Sequence, residues 1–217
     1  MHRTASRWRV PALVAGALIM AILSACGGPF PQSTLDPVSD FARSIDDLFM
    51  SIVWWAVLVF VVVEGLLVYV VFRYRDRGGD EMPEPVHGST LLEIGWTLVP
   101  AIILVLIAVP TIRTIWQVDN PPTAADPLQI EVVGHQWWWE FSYPEQGITT
   151  ANEIHVPVGR TVQLSMTSAD VIHSFWVPRV GGKRDVNPGE TTGLWFTIDS
   201  AGRFWGQCAE FCGTSHA

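Results

Sequence analysis

Leu48 to Phe72 is a run of 25 residues with a single charge, Glu64, and no other stretch limits the fold as strongly. As a helix rising about 1.5 Å per residue it spans about 37 Å, against about 30 Å of bilayer hydrocarbon, so it crosses with some tilt. A second apolar run, Ile94 to Ile112, has 19 residues, with Pro100 and Pro110 in or near it. It reaches about 28 Å, enough for one crossing. Two such runs predict a transmembrane hairpin with helices at about 48–72 and 94–112, within 41–117. Arg73, Arg75 and Arg77 follow the first run. Arginines beside a membrane exit mark the cytoplasmic side, so the loop to about Ser89 is expected there. Arg113 beyond the second run is a weaker signal of the opposite sense. The N-terminus and the C-terminal half are therefore expected outside. Glu64 lies inside the first run, where a carboxyl is costly and faces protein or water. It reads as a protonated carboxyl bonded to a neighbouring subunit, with a proton-pathway role as the alternative.

Ahead of the hairpin, Arg3, Arg7 and Arg9 precede an apolar run from Val10 to Leu23, followed by small residues and Cys26. This is the order of a secretory signal. Leu23-Ser24-Ala25-Cys26 resembles a bacterial lipobox, which predicts a lipoprotein-type signal peptide over 1–25 and lipidation of Cys26. The alternative is an ordinary signal peptide with a free cysteine nearby. Residues 26–40 are rich in Pro, Ser and Gly and read as a tether. Ser39 or Asp40 suits the N-cap of the first helix.

After a linker at Asp119–Asp126 the pattern changes to short segments rich in Val, Ile, Thr, Phe and Trp. Candidate strands are Leu128–Val133, Gln136–Tyr143, Glu153–Val156, Thr161–Thr167, Ile172–Val177, Thr191–Ile198 and Gly202–Gln207, with a turn at Val186–Gly189. Seven or so strands suit an all-β Greek-key sandwich or barrel over 118–217. The chain carries a formal charge of -8, which argues against a nucleic-acid partner. From Asp119 onward there are eleven acidic residues against five basic. An acidic face steers a basic partner, although solubility alone also accounts for it.

The chemistry concentrates in Cys208-Ala-Glu-Phe-Cys212-Gly-Thr-Ser-His216, with His173 standing alone upstream in Val-Ile-His-Ser-Phe-Trp. Thiolate and imidazole together suit copper or zinc. A disulfide, which an extracytoplasmic location permits, and a structural zinc site are the competing readings. A disulfide closing so short a loop would stabilise little. A second cysteine speaks against a mononuclear blue-copper site, which takes one cysteine and two histidines.

The loop resembles the copper-binding loop of subunit II of haem–copper cytochrome c oxidases, which reads C-x-E-x-C-x-x-x-H-x-x-M. Cys208, Glu210, Cys212 and His216 match it. The sequence stops at Ala217, two residues short of the methionine, so the resemblance implies a copper domain that is C-terminally incomplete. His173-Ser-Phe-Trp-Val-Pro178 matches the family's other histidine context, and Gly134 to Trp139 its tryptophan-rich strand. The resemblance covers about Phe41 to Ala217. It implies a cupredoxin-like domain with a binuclear copper centre, in which Cys208 and Cys212 bridge two coppers, His173 and His216 each bind one, and the Glu210 carbonyl completes one. It further implies a magnesium or manganese ion shared with subunit I through the Glu210 side chain. Trp137 would be the indole that takes electrons from cytochrome c, Asp170 a docking carboxylate for that donor, and Glu93 the mouth of a proton channel continuing in subunit I. Bland readings stand beside these: packing for the tryptophans, a solvated rim carboxylate for Glu210 and a helix-start carboxylate for Glu93.

The resemblance thus implies the copper subunit of a bacterial cytochrome c oxidase in the cytoplasmic membrane. It would accept electrons from cytochrome c and pass them to haem in subunit I for oxygen reduction coupled to proton pumping. A quinol oxidase subunit II, whose family lacks the copper ligands, and a membrane-anchored copper carrier are the alternatives.

Overall fold

The computed structural model describes residues 30–75 and 88–216, together with the helical positions Val14, Gly16, Leu18 and Met20. Cys26 and Arg77 lie outside the described residues. The chain divides into two units, Met1–Pro31 and Gln32–Ala217, and the second holds the features below.

Helix α1 runs from Asp40 to Arg73 and helix α2 from Thr90 to Asp119. Both are longer than their apolar runs. Ser39 caps α1, its hydroxyl accepting from the Ala42 N–H at 3.0 Å, as its place before the helix predicts. Pro100 and Pro110 lie inside α2 without ending it. Along the apolar runs the side chains of both helices project outward, as they do on helices that face lipid. At 34 residues α1 is about 51 Å long, well beyond the hydrocarbon thickness. Its excess lies at the N-terminal end, where Val38, Phe41 and Ala42 are buried against the β domain. Phe41 meets Trp195 edge to face with ring centroids 5.5 Å apart.

From Asp36 onward the segment ahead of α1 is tied to the β domain. Arg179 Nε donates to the Asp36 carbonyl at 2.9 Å, Val38 N–H to the Arg179 carbonyl at 2.8 Å and Asp199 N–H to the Val38 carbonyl at 3.0 Å. The far end of α2 is tied as well: Trp195 Nε1 donates to the Val118 carbonyl at 2.9 Å, and Arg184 pairs with Asp119 at 2.6 Å.

The β domain has eight strands: β1 Leu128–His135, β2 Trp138–Tyr143, β3 Ile148–Ala151, β4 Thr161–Ser168, β5 His173–Trp176, β6 Arg184–Val186, β7 Thr192–Thr197 and β8 Gln207–Cys208. They form a five-stranded sheet ordered β3-β2-β1-β4-β7 and a three-stranded sheet ordered β6-β5-β8. β1 pairs with β4 in parallel and with β2 antiparallel. The core lies between the sheets. Ile130, Val132, Val162 and Met166 of the larger sheet are buried with Phe175 and Val186 of the smaller. Burial alternates along β1, β2 and β4, as strands with one core face require.

Two expected strands move. Glu153–Val156 is irregular, and the pairing falls instead on β3. Gly147, at φ 63°, closes the β2–β3 turn, its N–H bonding the Tyr143 carbonyl at 2.9 Å. The Tyr143 hydroxyl then holds His155 at both backbone groups, accepting from its N–H at 2.7 Å and donating to its carbonyl at 3.0 Å. Gly202–Gln207 contributes only β8, and β6 was not expected. Gln136 and Trp137 form the β1–β2 turn rather than the start of a strand.

Candidate metal centre

Strand pairing brings the two parts of the candidate site together. β5 starts at His173, and β8 pairs antiparallel with it so that Phe175 faces Cys208 and Trp176 faces Gln207. The Ala209 N–H bonds the Ser174 carbonyl at 2.9 Å, and the Cys208 N–H bonds the His216 carbonyl at 3.3 Å. The loop is thereby closed on itself and stitched to the strand that carries the distant histidine.

One ligand atom each from His173, Cys208, Cys212 and His216 all lie within 4.8 Å of one another. The two Sγ atoms are 3.8 Å apart, and both cysteines are free. A disulfide needs about 2.05 Å between sulfurs, so the loop holds a pair of thiols. Cys208 Sγ lies 3.9 Å from His173 Nδ1 and 3.4 Å from the Glu210 carbonyl oxygen. Cys212 Sγ lies 3.5 Å from His216 Nδ1. Two sulfurs, two imidazole nitrogens and a carbonyl converge, a donor set that fits a soft or borderline transition metal. Among the described residues this is the one such cluster.

The histidines are set by their surroundings. His173 is fully buried, and its Nε2 bonds Asp170 Oδ1 at 2.8 Å. With that nitrogen donating, Nδ1 keeps its lone pair toward the thiols, the usual arrangement behind a metal-binding histidine. Asp170 also accepts from the N–H groups of Gln136 at 2.7 Å and Val171 at 2.6 Å. Burial raises the Asp170 pKa, but the bonds from His173, Gln136 and Val171 outweigh it and hold the carboxyl at about 2. His216 stacks on Trp139, with centroids 4.8 Å apart and planes 26° apart, and meets His173 edge to face at 5.1 Å. Its Nε2 is buried without a partner among the described residues. Burial, and then the neighbouring His173, lower the His216 pKa, which keeps its ring neutral and able to ligate. The Cys212 thiol is pushed up to about 11, first by burial and then by its bond to Cys208.

The other expected residues divide by distance. Trp137, half exposed at 47%, sits in the β1–β2 turn, and its Nε1 donates to the Cys212 carbonyl at 3.2 Å. Asp170 stands behind His173, with 32% of its side chain exposed. Glu210 presents its carboxylate outward, accepting from the Phe211 N–H at 2.9 Å. Glu93 lies in the first turn of α2, at the end of the hairpin away from the β domain.

Three residues that the sequence did not single out support the site. Gln136 Nε2 donates to the Cys212 carbonyl at 2.8 Å, so that oxygen receives two donors. Gly134 lets the His173 ring approach the sheet: a Cβ there would sit 2.9 Å from His173 Cδ2. A glycine inside a strand is the one sequence signal of such an approach. Gly213, at φ 143°, lies under the Trp137 indole where a side chain would overlap it.

The fold and the site together define a β-sandwich preceded by two helices long and apolar enough to cross a membrane, with a thiol–imidazole cluster at its rim that could hold a metal ion. The family descriptions that match are cytochrome c oxidase subunit II, transmembrane domain, over residues 30–114, and cytochrome c oxidase subunit II, periplasmic domain, over residues 146–217. The chain belongs to the cytochrome c oxidase subunit II family. Cytochrome c oxidase subunit 2 of Alkalihalophilus pseudofirmus is 42% identical over 207 residues, covering 93% of this chain and 60% of the relative. The Bacillus subtilis protein of the same name is 38% identical over 225 residues, covering 97% and 62%. Quinol oxidase subunit 2 of Bacillus cereus is 33% identical over 214 residues, covering 95% and 72%. The chain thus spans about three fifths of the length of the cytochrome c oxidase relatives.

Proposed function

We propose that the chain is the copper-bearing subunit II of a bacterial cytochrome c oxidase. It takes electrons from cytochrome c at a binuclear copper centre and passes them to haem in subunit I, where oxygen is reduced and protons are pumped. The observation that carries this reading is the convergence of two thiols and two imidazoles within 4.8 Å. Copper bound there supplies one-electron chemistry with little change of ligand geometry. Cys208 and Cys212 would hold the metal through their Sγ atoms, His173 and His216 through Nδ1, and the Glu210 carbonyl would offer an oxygen. The β5–β8 pairing and the Asp170 bond hold these donors in place, which favours fast electron transfer over exchange of ligands.

Trp137 is the electron-uptake residue in this reading, because its exposed indole is bonded to the carbonyl of a ligand cysteine. The acidic β domain attracts a basic cytochrome c, and Asp170 contributes to that field. The outward Glu210 carboxylate is free to bind a magnesium or manganese ion shared with subunit I. Glu93 stands at the mouth of a proton channel on the cytoplasmic side. The β domain lies on the extracytoplasmic side of the cytoplasmic membrane, with Cys26 lipidated after signal removal. A quinol oxidase subunit II has no use for the cradle, and a simple copper carrier has no use for Glu93 or the Trp137 contact.

Copper loading tests the reading. The reduced β domain in its membrane-anchored chain is expected to take up two coppers and give a purple, mixed-valence spectrum with one electron shared by both. One copper per chain, or the spectrum of an isolated type 2 copper, defeats the binuclear assignment.

A further inference from the structure

His173 and His216 are fixed by different means. His173 is held through its own ring, with Nε2 bonded to Asp170 Oδ1 at 2.8 Å. His216 has no such bond, its Nε2 being buried without a partner among the described residues. Its plane is set instead by the Trp139 indole stacked on it, with centroids 4.8 Å apart. That plane decides where Nδ1 points, 3.5 Å from Cys212 Sγ. The same indole meets His173 at 5.7 Å and Phe175 at 5.4 Å, both edge to face, and is itself buried. A shift of Trp139 is therefore felt at the ligand atom of His216.

Trp139 lies just past the end of a ladder. β2 and β3 pair from Tyr143 opposite Ile148 to Glu140 opposite Ala151, where β3 stops. The next residue, Asn152, has φ 60° and is the one non-glycine residue with positive φ among the described residues. Its N–H still donates to the Trp139 carbonyl at 2.8 Å, as the next residue of a ladder would. The Trp139 N–H, however, is met by the Asn152 side chain, with Oδ1 accepting at 3.0 Å. Asparagine tolerates the left-handed region, and its amide can stand in for a backbone group. Glycine would adopt the turn more easily but offers no acceptor. Asn152 thus satisfies both backbone groups of Trp139 where the strand beside it has ended.

We propose that Asn152 is a positioning residue for the copper site: its Oδ1 holds the Trp139 backbone, and Trp139 holds the plane of the His216 ring. The contacts run from Asn152 Oδ1 to the Trp139 N–H, through the indole to the His216 ring, and so to Nδ1. An imidazole whose plane is held keeps its lone pair directed at the metal, which slows metal release. Asn152 does for His216, through an aromatic ring, what Asp170 does for His173 through a hydrogen bond. The inference rests on the proposed binding of copper by this cluster.

The test uses the full chain loaded with copper. It reads the rate at which a chelator strips the copper, the hyperfine pattern of the copper spectrum and the melting temperature of the copper-free chain. Asn152→Gly keeps the turn and deletes only the acceptor. It is expected to release copper about tenfold faster, as loss of a group supporting a metal ligand typically does. Its hyperfine pattern is expected to change and its copper-free melting temperature to stay close to that of the parent. Asn152→Asp keeps an acceptor and tolerates the same φ. Thr150→Val deletes a different bond of the same corner, from Thr150 Oγ1 to the Glu153 carbonyl at 2.7 Å, and leaves the Trp139 N–H paired. Both are expected to release copper within about twofold of the parent, too small a change for loss of a supporting group. Release and spectrum unchanged in Asn152→Gly overturn the inference, whatever its melting temperature. Equal acceleration in Thr150→Val also overturns it, as general loosening of the corner, and so does failure of Asn152→Asp to restore slow release. If the parent chain binds no copper, the copper assignment fails and this inference fails with it. If the parent binds copper and Asn152→Gly releases it at the parent's rate, only this inference fails.

Discussion

Trp137 and Asp170 lie on the same rim, yet their bonds separate their roles. Trp137 reaches the ligand loop through one hydrogen bond, from Nε1 to the Cys212 carbonyl, and leaves much of its ring to solvent. Trp137→Ala is expected to slow electron uptake from cytochrome c by about tenfold or more while association stays close to that of the parent, since a tenfold rate change needs only about 1.4 kcal/mol. Stopped-flow reduction over a salt series checks this: a purely salt-dependent binding defect makes the indole a docking residue. Asp170 accepts three hydrogen bonds, one of them from the candidate ligand His173. Asp170→Asn should therefore perturb the copper spectrum or potential as well as the on-rate, because loss of a carboxylate behind a metal-binding histidine typically costs about 10–100-fold in affinity or activity. A shallower salt dependence with an unchanged spectrum would limit Asp170 to docking. Gly134→Ala adds a methyl 2.9 Å from His173 Cδ2 and 3.2 Å from Trp139 Cζ3. Overpacking of this kind costs about 1–3 kcal/mol, so the melting temperature should drop and copper binding weaken together. Unchanged copper affinity would show that the ring has room to shift.

The loop between β8 and the end of the chain shows how far elements could be read from sequence. Its two thiols and terminal imidazole were legible from spacing, because a short loop must keep such donors close. The partner strand was legible as Ile172–Val177, but its pairing with β8 was not. That Phe175 sits opposite Cys208 is a matter of register, which sequence alone does not specify. The helices were legible from their apolar runs, and the start of α1 from Ser39 as its N-cap, while both ends of α2 lie outside its apolar run. Both continue into polar turns, where Phe41, Trp195 and Val118 tie them to the sandwich and no hydrophobic run marks their ends. β6 is three residues long and β8 two, too short for any alternation to register. The loop also carries a pH dependence. Folding raises the Cys212 pKa to about 11, from an ordinary value of 9.0. A raised folded pKa means that its contribution to the stability of the copper-free domain is full below pH 9 and lost as pH rises through 11. For copper uptake the same proton must leave. Apparent copper affinity should therefore rise about tenfold per pH unit for each thiol proton displaced between pH 6 and 8. Competition titrations across that range, or direct measurement of proton release, check it. A pH-independent affinity would mean that the thiols are already ionised in the copper-free loop.

At the scale of the whole molecule the candidate metal cluster and Glu93 lie toward opposite ends of the hairpin. The metal cradle stands on the β domain, which both helices grip at one end of the hairpin through Phe41, Trp195 and the Arg184–Asp119 pair. Glu93 stands in the first turn of α2 at the other end. Thirty residues of helix put about 45 Å between the ends of α2. At that separation a direct electrostatic effect of one interfacial carboxylate on the copper site is screened by solvent at both surfaces. The two ends can then be perturbed independently. Glu93→Ala is expected to leave the copper spectrum, the potential and electron uptake from cytochrome c as they are in the parent. Oxygen consumption in the assembled oxidase is expected to fall by about tenfold, a barrier increase of about 1.4 kcal/mol, because protons must then reach the channel without a carboxylate to collect them. Glu93→Gln should be nearly as slow, since the amide keeps the size and polarity of the side chain but takes up no proton. If instead Glu93→Gln turns over like the parent and only Glu93→Ala is slow, the residue is a structural polar group at the start of α2. If neither variant changes oxygen consumption across pH 6 to 8, proton collection occurs elsewhere and Glu93 is simply the acidic residue that a helix N-terminus favours.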